Sequence, residues 1–206
     1  MDDVVGLEQI KFELPVPMFV GTPKTIKSAN LETAKKKDYK RPPLYAPKGT
    51  TNVAKNKPVT GSDSEPIIGE LELITDGDKE GSDGSYVELS DMKQHVQIDL
   101  GAKYKIYAVL LWHYHAQARV YRDVVVQVAD DPDFIMNVRT VFNNDHDNSS
   151  GLGIGTDKEW IETYEGRLIE TKGVTARYVR LYSNGSTANE MNHYIEVEVY
   201  GQAAKP

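Results

Sequence analysis

The chain has 206 residues, 39% of them hydrophobic and 27% charged, which suits a soluble globular protein with one sizeable core and an appended arm. A net charge of −7 argues against nucleic acid or an anionic membrane as partner, since both need clustered positive charge. The absence of cysteine excludes disulfides, thiolate metal sites and cysteine nucleophiles, and no stretch approaches the roughly 20 apolar residues of a membrane span.

Met1-Asp2-Asp3 is not a signal peptide, because no basic start precedes an apolar run. Residues 1–50 read as an extended arm or linker rich in proline and lysine. Segments 14–23 and 41–47 hold most of the prolines, which lack amide donors and favour polyproline-like backbone. Phe12, Leu14, Val16, Met18, Phe19 and Val20 are too apolar for a free tail. The arm is therefore expected to pack along the main domain, with a mobile lysine-rich stretch between 24 and 41. The basic run 35–41 reads as solvated linker rather than a nucleic-acid arm.

Residues 51–202 carry a β pattern throughout. In His95-Val96-Gln97-Ile98-Asp99-Leu100-Gly101 the apolar residues alternate, with Val96, Ile98 and Leu100 inward. The run from Tyr107 to Tyr114 is continuously apolar, as a central sandwich strand would be. Segments 124–129, 140–142 and 176–182 follow as strands. The closing segment Tyr194-Ile195-Glu196-Val197-Glu198-Val199-Tyr200-Gly201 puts Glu196 and Glu198 on one face and Ile195, Val197 and Val199 on the other. No long helical period occurs, so the expected fold is one antiparallel β-sandwich.

Two segments break this rhythm. Residues 74–84 form a turn dense in acidic residues and glycine. Clustered carboxylates repel unless a cation or hydrogen bonds hold them, and hard oxygen ligands on such a turn suit Ca²⁺. The reading without metal is a turn capped by its own Asp side chains. Residues 143–155 are long, polar and glycine-rich, and loops of this length are functional or disordered.

Taken in order, Asn52-Val53-Ala54-Lys55-Asn56-Lys57-Pro58-Val59-Thr60, Ile74-Thr75-Asp76-Gly77-Asp78, the segments 95–101, 104–109 and 176–181, and the Glu-x-Glu-Val-Tyr-Gly ending resemble the discoidin, or coagulation-factor type C, family. Residues 1–51 fall outside the resemblance. It implies a jelly-roll (galactose-binding-domain-like) β-sandwich, similar to bacterial carbohydrate-binding modules, with its ligand in loops at one end. It also implies a structural Ca²⁺ held by Asp76, carbonyls near Leu73 and Asp78, an oxygen of Gly81 or Ser82, and Glu196. The resemblance favours an exported bacterial protein whose signal has been removed, outside the cytoplasm or on the cell surface, over a cytosolic one.

Sugar sites need a flat apolar surface and planar polar groups that pair with hydroxyls. Residues 112–121 are rich in both and lie where sugar-binding relatives carry an arginine-containing loop. His113, His115 and Arg119 are expected contacts. Trp112 and Tyr114 are read either as core or as ligand surface. Asn184 and Asn189 before the closing strand, Glu70 and Tyr86 around the acidic turn, and Asn143 to His146 with Trp160 should reach the same end. The expected function is non-catalytic recognition of a glycan. A structural or protein-docking module of a larger exported protein, using residues 1–50, is the alternative. A transition-metal site built from His113, His115, His146, Asp145, Asp147 and His193 fits no hydrolase motif. Glu159, Glu162 and Glu165 carry no feature that sets one apart as a catalytic acid. Leu152 and Ile154 lie among Asp145, Asp147 and Asp157, which disfavours lipid.

Overall fold

The structure, a computed structural model, describes residues 6–19, 23–34 and 39–204. The expectations placed on Val20 and on 35–38 lie outside the described residues. Among the described residues there are eleven strands: β1 Leu7–Ile10, β2 Leu44–Pro47, β3 Thr51–Asn52, β4 Val59–Gly61, β5 Val87–Leu89, β6 Gln94–Trp112, β7 Val125–Ala129, β8 Arg139–Asn143, β9 Arg167–Ser183, β10 Asn192–Tyr194 and β11 Glu196–Ala203. A 3-10 turn spans Leu71–Thr75. Among the described residues no helix is long and apolar enough to cross a membrane.

The main sheet runs β3-β11-β6-β9-β7-β8, with β4 also paired to β6, and every pair is antiparallel. β6 is its spine. Val96, Ile98 and Leu100 face the inner core as the alternation requires. The pairing with β9 breaks between Asp99 and Tyr104, where Gly101 takes φ +83°. A second irregularity between Ile106 and Ala108 resets the alternation. Val109 and Leu111 then stay on the inner face, while Ala108, Leu110 and Trp112 turn to the outer one. The inner face closes against Val59 of β4, Ile74 of the 3-10 turn, Val87 and Leu89 of β5 and Tyr194 of β10.

The outer face is covered as well. β1 pairs with β2, and Ile10, Leu44 and Ala46 pack there against Ala108, Leu110, Trp112, Ile195 and Tyr200. This explains the unbroken apolar run that ends β6, since a strand covered on both sides has no polar face to show. Trp112 is core, with Nε1 donating to Tyr164 O at 2.8 Å. One expectation on the closing strand is corrected. Ile195 lies outside the ladder, between β10 and β11, and joins the outer cluster, opposite Val197 and Val199. The stretch read as mobile is fastened at several points. Asn30 Nδ2 donates to Asn144 O and Asp157 O, Glu32 pairs with Arg167 at 2.9 Å, and Arg41 donates to Glu165 O and Gly166 O.

Candidate functional site

β6 ends at Trp112, and the chain beyond it turns into a polar cluster assembled from four segments. His113 is fully buried. Its Nδ1 lies 2.6 Å from Glu162 Oε1, and its ring stacks on Tyr121 at 4.3 Å. Arg119 is 6% exposed, with its guanidinium 4.6 Å over the Tyr114 ring. Tyr86, just before β5, meets Tyr114 edge-on at 4.9 Å. His193 of β10 lies 5.8 Å from Tyr114, and its Nε2 is 2.8 Å from Glu88 Oε2 of β5.

Within this cluster, buried polar atoms lack partners in the protein: His113 Nε2, Glu162 Oε2, Arg119 Nε and Nη1, Tyr121 OH, Trp160 Nε1 and His193 Nδ1. Buried polar atoms are normally satisfied, and each orphan costs about 1–3 kcal/mol. Arg119 has no ion pair among the described residues; its Nη2 donates to Gln117 Oε1 at 3.3 Å, and its guanidinium also faces the Tyr121 hydroxyl. Burial pushes the Tyr121 hydroxyl well above its usual range. Burial and then the Arg119 charge lower His193, against the pull of Glu88. The cluster thus holds unpartnered donors and acceptors behind two half-buried tyrosines.

The structure brings together His113, Arg119 and Tyr86 of the expected contacts. The others lie elsewhere. His115 is fully buried beneath the acidic turn, its Nε2 2.9 Å from Lys79 O. Asn184 donates to Asp123 Oδ2 at 2.8 Å. Asn189 and His146 are exposed on their loops, and Glu70 is exposed ahead of the 3-10 turn. Glu88, Tyr121, Glu162 and His193 complete the cluster. Their partnerships span tens of residues, and nothing in the local pattern signals them.

The acidic turn has its own geometry. Asp76 Oδ1 accepts from Asp78 N at 2.7 Å, and Asp78 Oδ1 from Glu80 N at 2.9 Å, so each Asp caps the turn after it. Gly77, at φ +93°, donates to Glu196 Oε2 at 3.1 Å. Glu196 is fully buried, its Oε1 has no partner, and burial pushes its carboxyl up to about 9. Ser82 Oγ lies 3.3 Å from Ser85 Oγ, which itself donates to Asp78 Oδ2. Glu196 Oε1, buried without a hydrogen-bond partner beside the acidic turn, offers the oxygen donor chemistry a hard cation uses.

The loop after β8 gathers Asp123, Asp145 and Asp147, whose carboxylate oxygens lie within 4.8 Å of one another. No group containing histidine gathers in this way among the described residues. Asp145 accepts from Ser149 N and Ser150 N, and Asp123 from Ser149 Oγ and Asn184. The loop folds back so closely that a Cβ at Gly155 would collide with the Asn143 carbonyl and side chain. Gly155→Ala is therefore expected to destabilise the domain by about 2–3 kcal/mol. A chemical-denaturation midpoint equal to wild type would refute this.

The family model described as "NedA-like, galactose-binding domain" matches residues 73–181. Among solved structures, a chitosan-binding module from a chitosanase/glucanase of Paenibacillus sp. IK-5 is similar at 22% identity and a TM-score of 0.52, covering 73% of this chain and 99% of that one. A module of Clostridium perfringens, solved with GlcNAc-α-1,4-galactose, is similar at 20% identity and a TM-score of 0.53, covering 75% and 96%. A fucose-binding module of Streptococcus pneumoniae is similar at 19% identity and a TM-score of 0.51, covering 73% and 97%. At these identities the likeness is one of fold, and it agrees with the jelly-roll sandwich described above. No curated protein matches the chain.

Proposed function

The chain belongs to the NedA-like, galactose-binding domain family, and from that premise we propose that it is a non-catalytic carbohydrate-binding module. The observation that carries this reading is the convergence of unpartnered donors and acceptors on Arg119, Tyr121, His113, Glu162 and His193 behind Tyr86 and Tyr114. Sugar hydroxyls both donate and accept, and a tyrosine ring offers a face to the sugar C–H groups. Entry of a ligand needs Tyr86 and Tyr114 to part, because the polar groups behind them are buried. Binding at one such site is expected at millimolar to micromolar strength, roughly −4 to −8 kcal/mol.

Ca²⁺ is part of the same reading. Glu196 and Asp76 would hold it, with backbone oxygens at Leu73 and Asp78; Ser82 is left out of this set because its hydroxyl turns to Ser85. The ion would neutralise Glu196 and tie the acidic turn to β11. A glycan reader belongs outside the cytoplasm, in a periplasm, at a cell surface or beyond it, and a bacterial source fits this proposal. Leu7, Val16 and Tyr45, all more than half exposed on the arm, favour a second role in docking to a neighbouring domain.

A glycan array run with calcium and with chelator tests the proposal. Arg119→Ala is expected to weaken the strongest array ligand at least tenfold with an unchanged melting profile. A variant that binds like wild type would remove this cluster from the site. Absence of binding to any glycan would favour the docking role.

A further inference from the structure

Both histidines of the cluster touch a carboxylate through one ring nitrogen and leave the other without a partner. His113 meets Glu162 through Nδ1 and has Nε2 free; His193 meets Glu88 through Nε2 and has Nδ1 free. An ionised carboxylate only accepts, so the ring nitrogen beside it carries the proton. In a neutral ring the far nitrogen is then a bare lone pair, and the contacts give the two rings opposite tautomers, His113 with Nδ1–H and His193 with Nε2–H. Burial and then the Arg119 cation act against a second proton on His193, while the contact with Glu88 acts the other way.

We propose that Glu162 and Glu88 are positioning residues that fix His113 and His193 as hydrogen-bond acceptors, so that the site reads sugar hydroxyls as proton donors. This rests on the carbohydrate reading above. The remaining polar groups complete the logic. Arg119 Nε and Nη1 can only donate, so they take the lone pairs of sugar oxygens whose protons go to the histidines. A hydroxyl satisfied on both sides binds well, whereas a ligand atom lacking the proton leaves a buried nitrogen unpaired. Glu162 has no exposure and is held in the wall by its backbone bond to Arg119 O at 2.9 Å. It supports the ligand through His113 and is fixed to the same loop that carries Arg119.

The test is ¹⁵N-detected imidazole NMR on the ligand-free, full-length protein at pH 7, with titration of methyl galactoside into wild type, Glu162→Gln and Glu88→Gln. The expected spectrum has Nδ1–H on His113 and Nε2–H on His193. A glutamine amide can turn either its oxygen or its nitrogen to the ring nitrogen it faces, so it no longer enforces a proton there. Each variant should therefore show a mixed or reversed tautomer at its histidine and bind methyl galactoside at least tenfold more weakly, with wild-type backbone chemical shifts elsewhere. Opposite tautomers or imidazolium signals in wild type overturn the proposal without touching the carbohydrate reading. So do mixed or reversed tautomers in variants that bind as wild type does. Expected tautomers in a wild-type protein that binds neither methyl galactoside nor any array glycan overturn the carbohydrate reading, and the positioning role with it.

Discussion

In chelator, the domain is expected to lose stability steadily as the pH rises from about 5 to about 9, and Ca²⁺ at the proposed site is expected to offset part of the loss. The cause is Glu196, whose ordinary value of 4.5 is pushed up to about 9 by burial. A carboxyl raised in the folded state holds its proton more tightly folded than unfolded. Its contribution to stability is fully present below the unfolded value and is lost as the pH climbs through the folded one. The slope is at most about 1.4 kcal/mol per pH unit, so several pH units remove several kcal/mol from a total near 5–15. At the proposed site calcium would act on the other form: it would bind the ionised carboxylate, so uptake would release a proton and tighten as the pH rises. At a hundredfold excess over its dissociation constant the ion adds about 2.7 kcal/mol. Glu196→Gln keeps the shape and removes the titration. Its melting temperature in chelator should be flat across this range, higher than wild type at pH 9, and indifferent to calcium. A wild-type protein whose melting temperature ignores both pH and calcium would show that Glu196 is neutralised within the protein.

The parts of the fold legible in the sequence are those set by local alternation. Val96, Ile98 and Leu100 face inward because one face of β6 meets the core, and period-two patterning reports this directly. The strands around 125–129 and 139–143 were bounded by turn residues and fell close to where they were expected. Alternation fails where the backbone slips. Ile195 leaves the ladder and reverses its side, which no sequence period could reveal. The first half of β9, from Arg167, carries too many polar residues to read as strand and is held by pairing with β6.

The candidate site was legible by residue type and not by partner. His113, His115 and Arg119 stand out in the sequence because planar polar side chains follow an aromatic strand end. The selection between His113 and His115 was not available from that pattern. Both are buried, but one meets Glu162 within the cluster and the other props the Lys79 carbonyl under the acidic turn. Glu162 is 49 residues from His113, and Glu88 is 105 from His193. Such pairs exist only once the sandwich closes. The sequence motif at 74–78 pointed to Glu196 because a known family pattern joins them, not because their spacing does.

A protein shortened to residues 51–206 is expected to lose most of its stability, even though every segment carrying the family resemblance would remain. The sequence divides the chain at about residue 50, and the structure gives the arm a share of the core. Ile10, Leu44 and Ala46 are at most 7% exposed and seal an outer sheet face made of Ala108, Leu110, Trp112, Ile195 and Tyr200. Phe12 adds an edge contact to Tyr200 at 5.2 Å. Lys79 of the acidic turn donates to Glu13 O of the arm while pairing with Glu198 at 2.7 Å. Fully burying a large apolar side chain stabilises by about 1.5–3 kcal/mol, so uncovering Leu110, Trp112, Ile195 and Tyr200 removes on the order of 5–10 kcal/mol. That equals the whole stability of an ordinary domain. The ion pair of Lys79 with Glu198 and its cation–π contact with Trp112 join residues that the shortened protein keeps, so they change the sum little. The exposed face would also present a contiguous apolar patch, a cause of association. The shortened protein should bind a hydrophobic dye, elute as aggregate and melt many degrees lower, and adding residues 6–50 as a separate peptide should partly restore it. A shortened protein that stays monomeric with the full melting temperature would make the arm an accessory laid on a self-sufficient sandwich. Leu110→Ala in the full chain distinguishes the two cases independently: packed between sheet and arm, it should cost about 2–5 kcal/mol, and against a loosely laid arm far less.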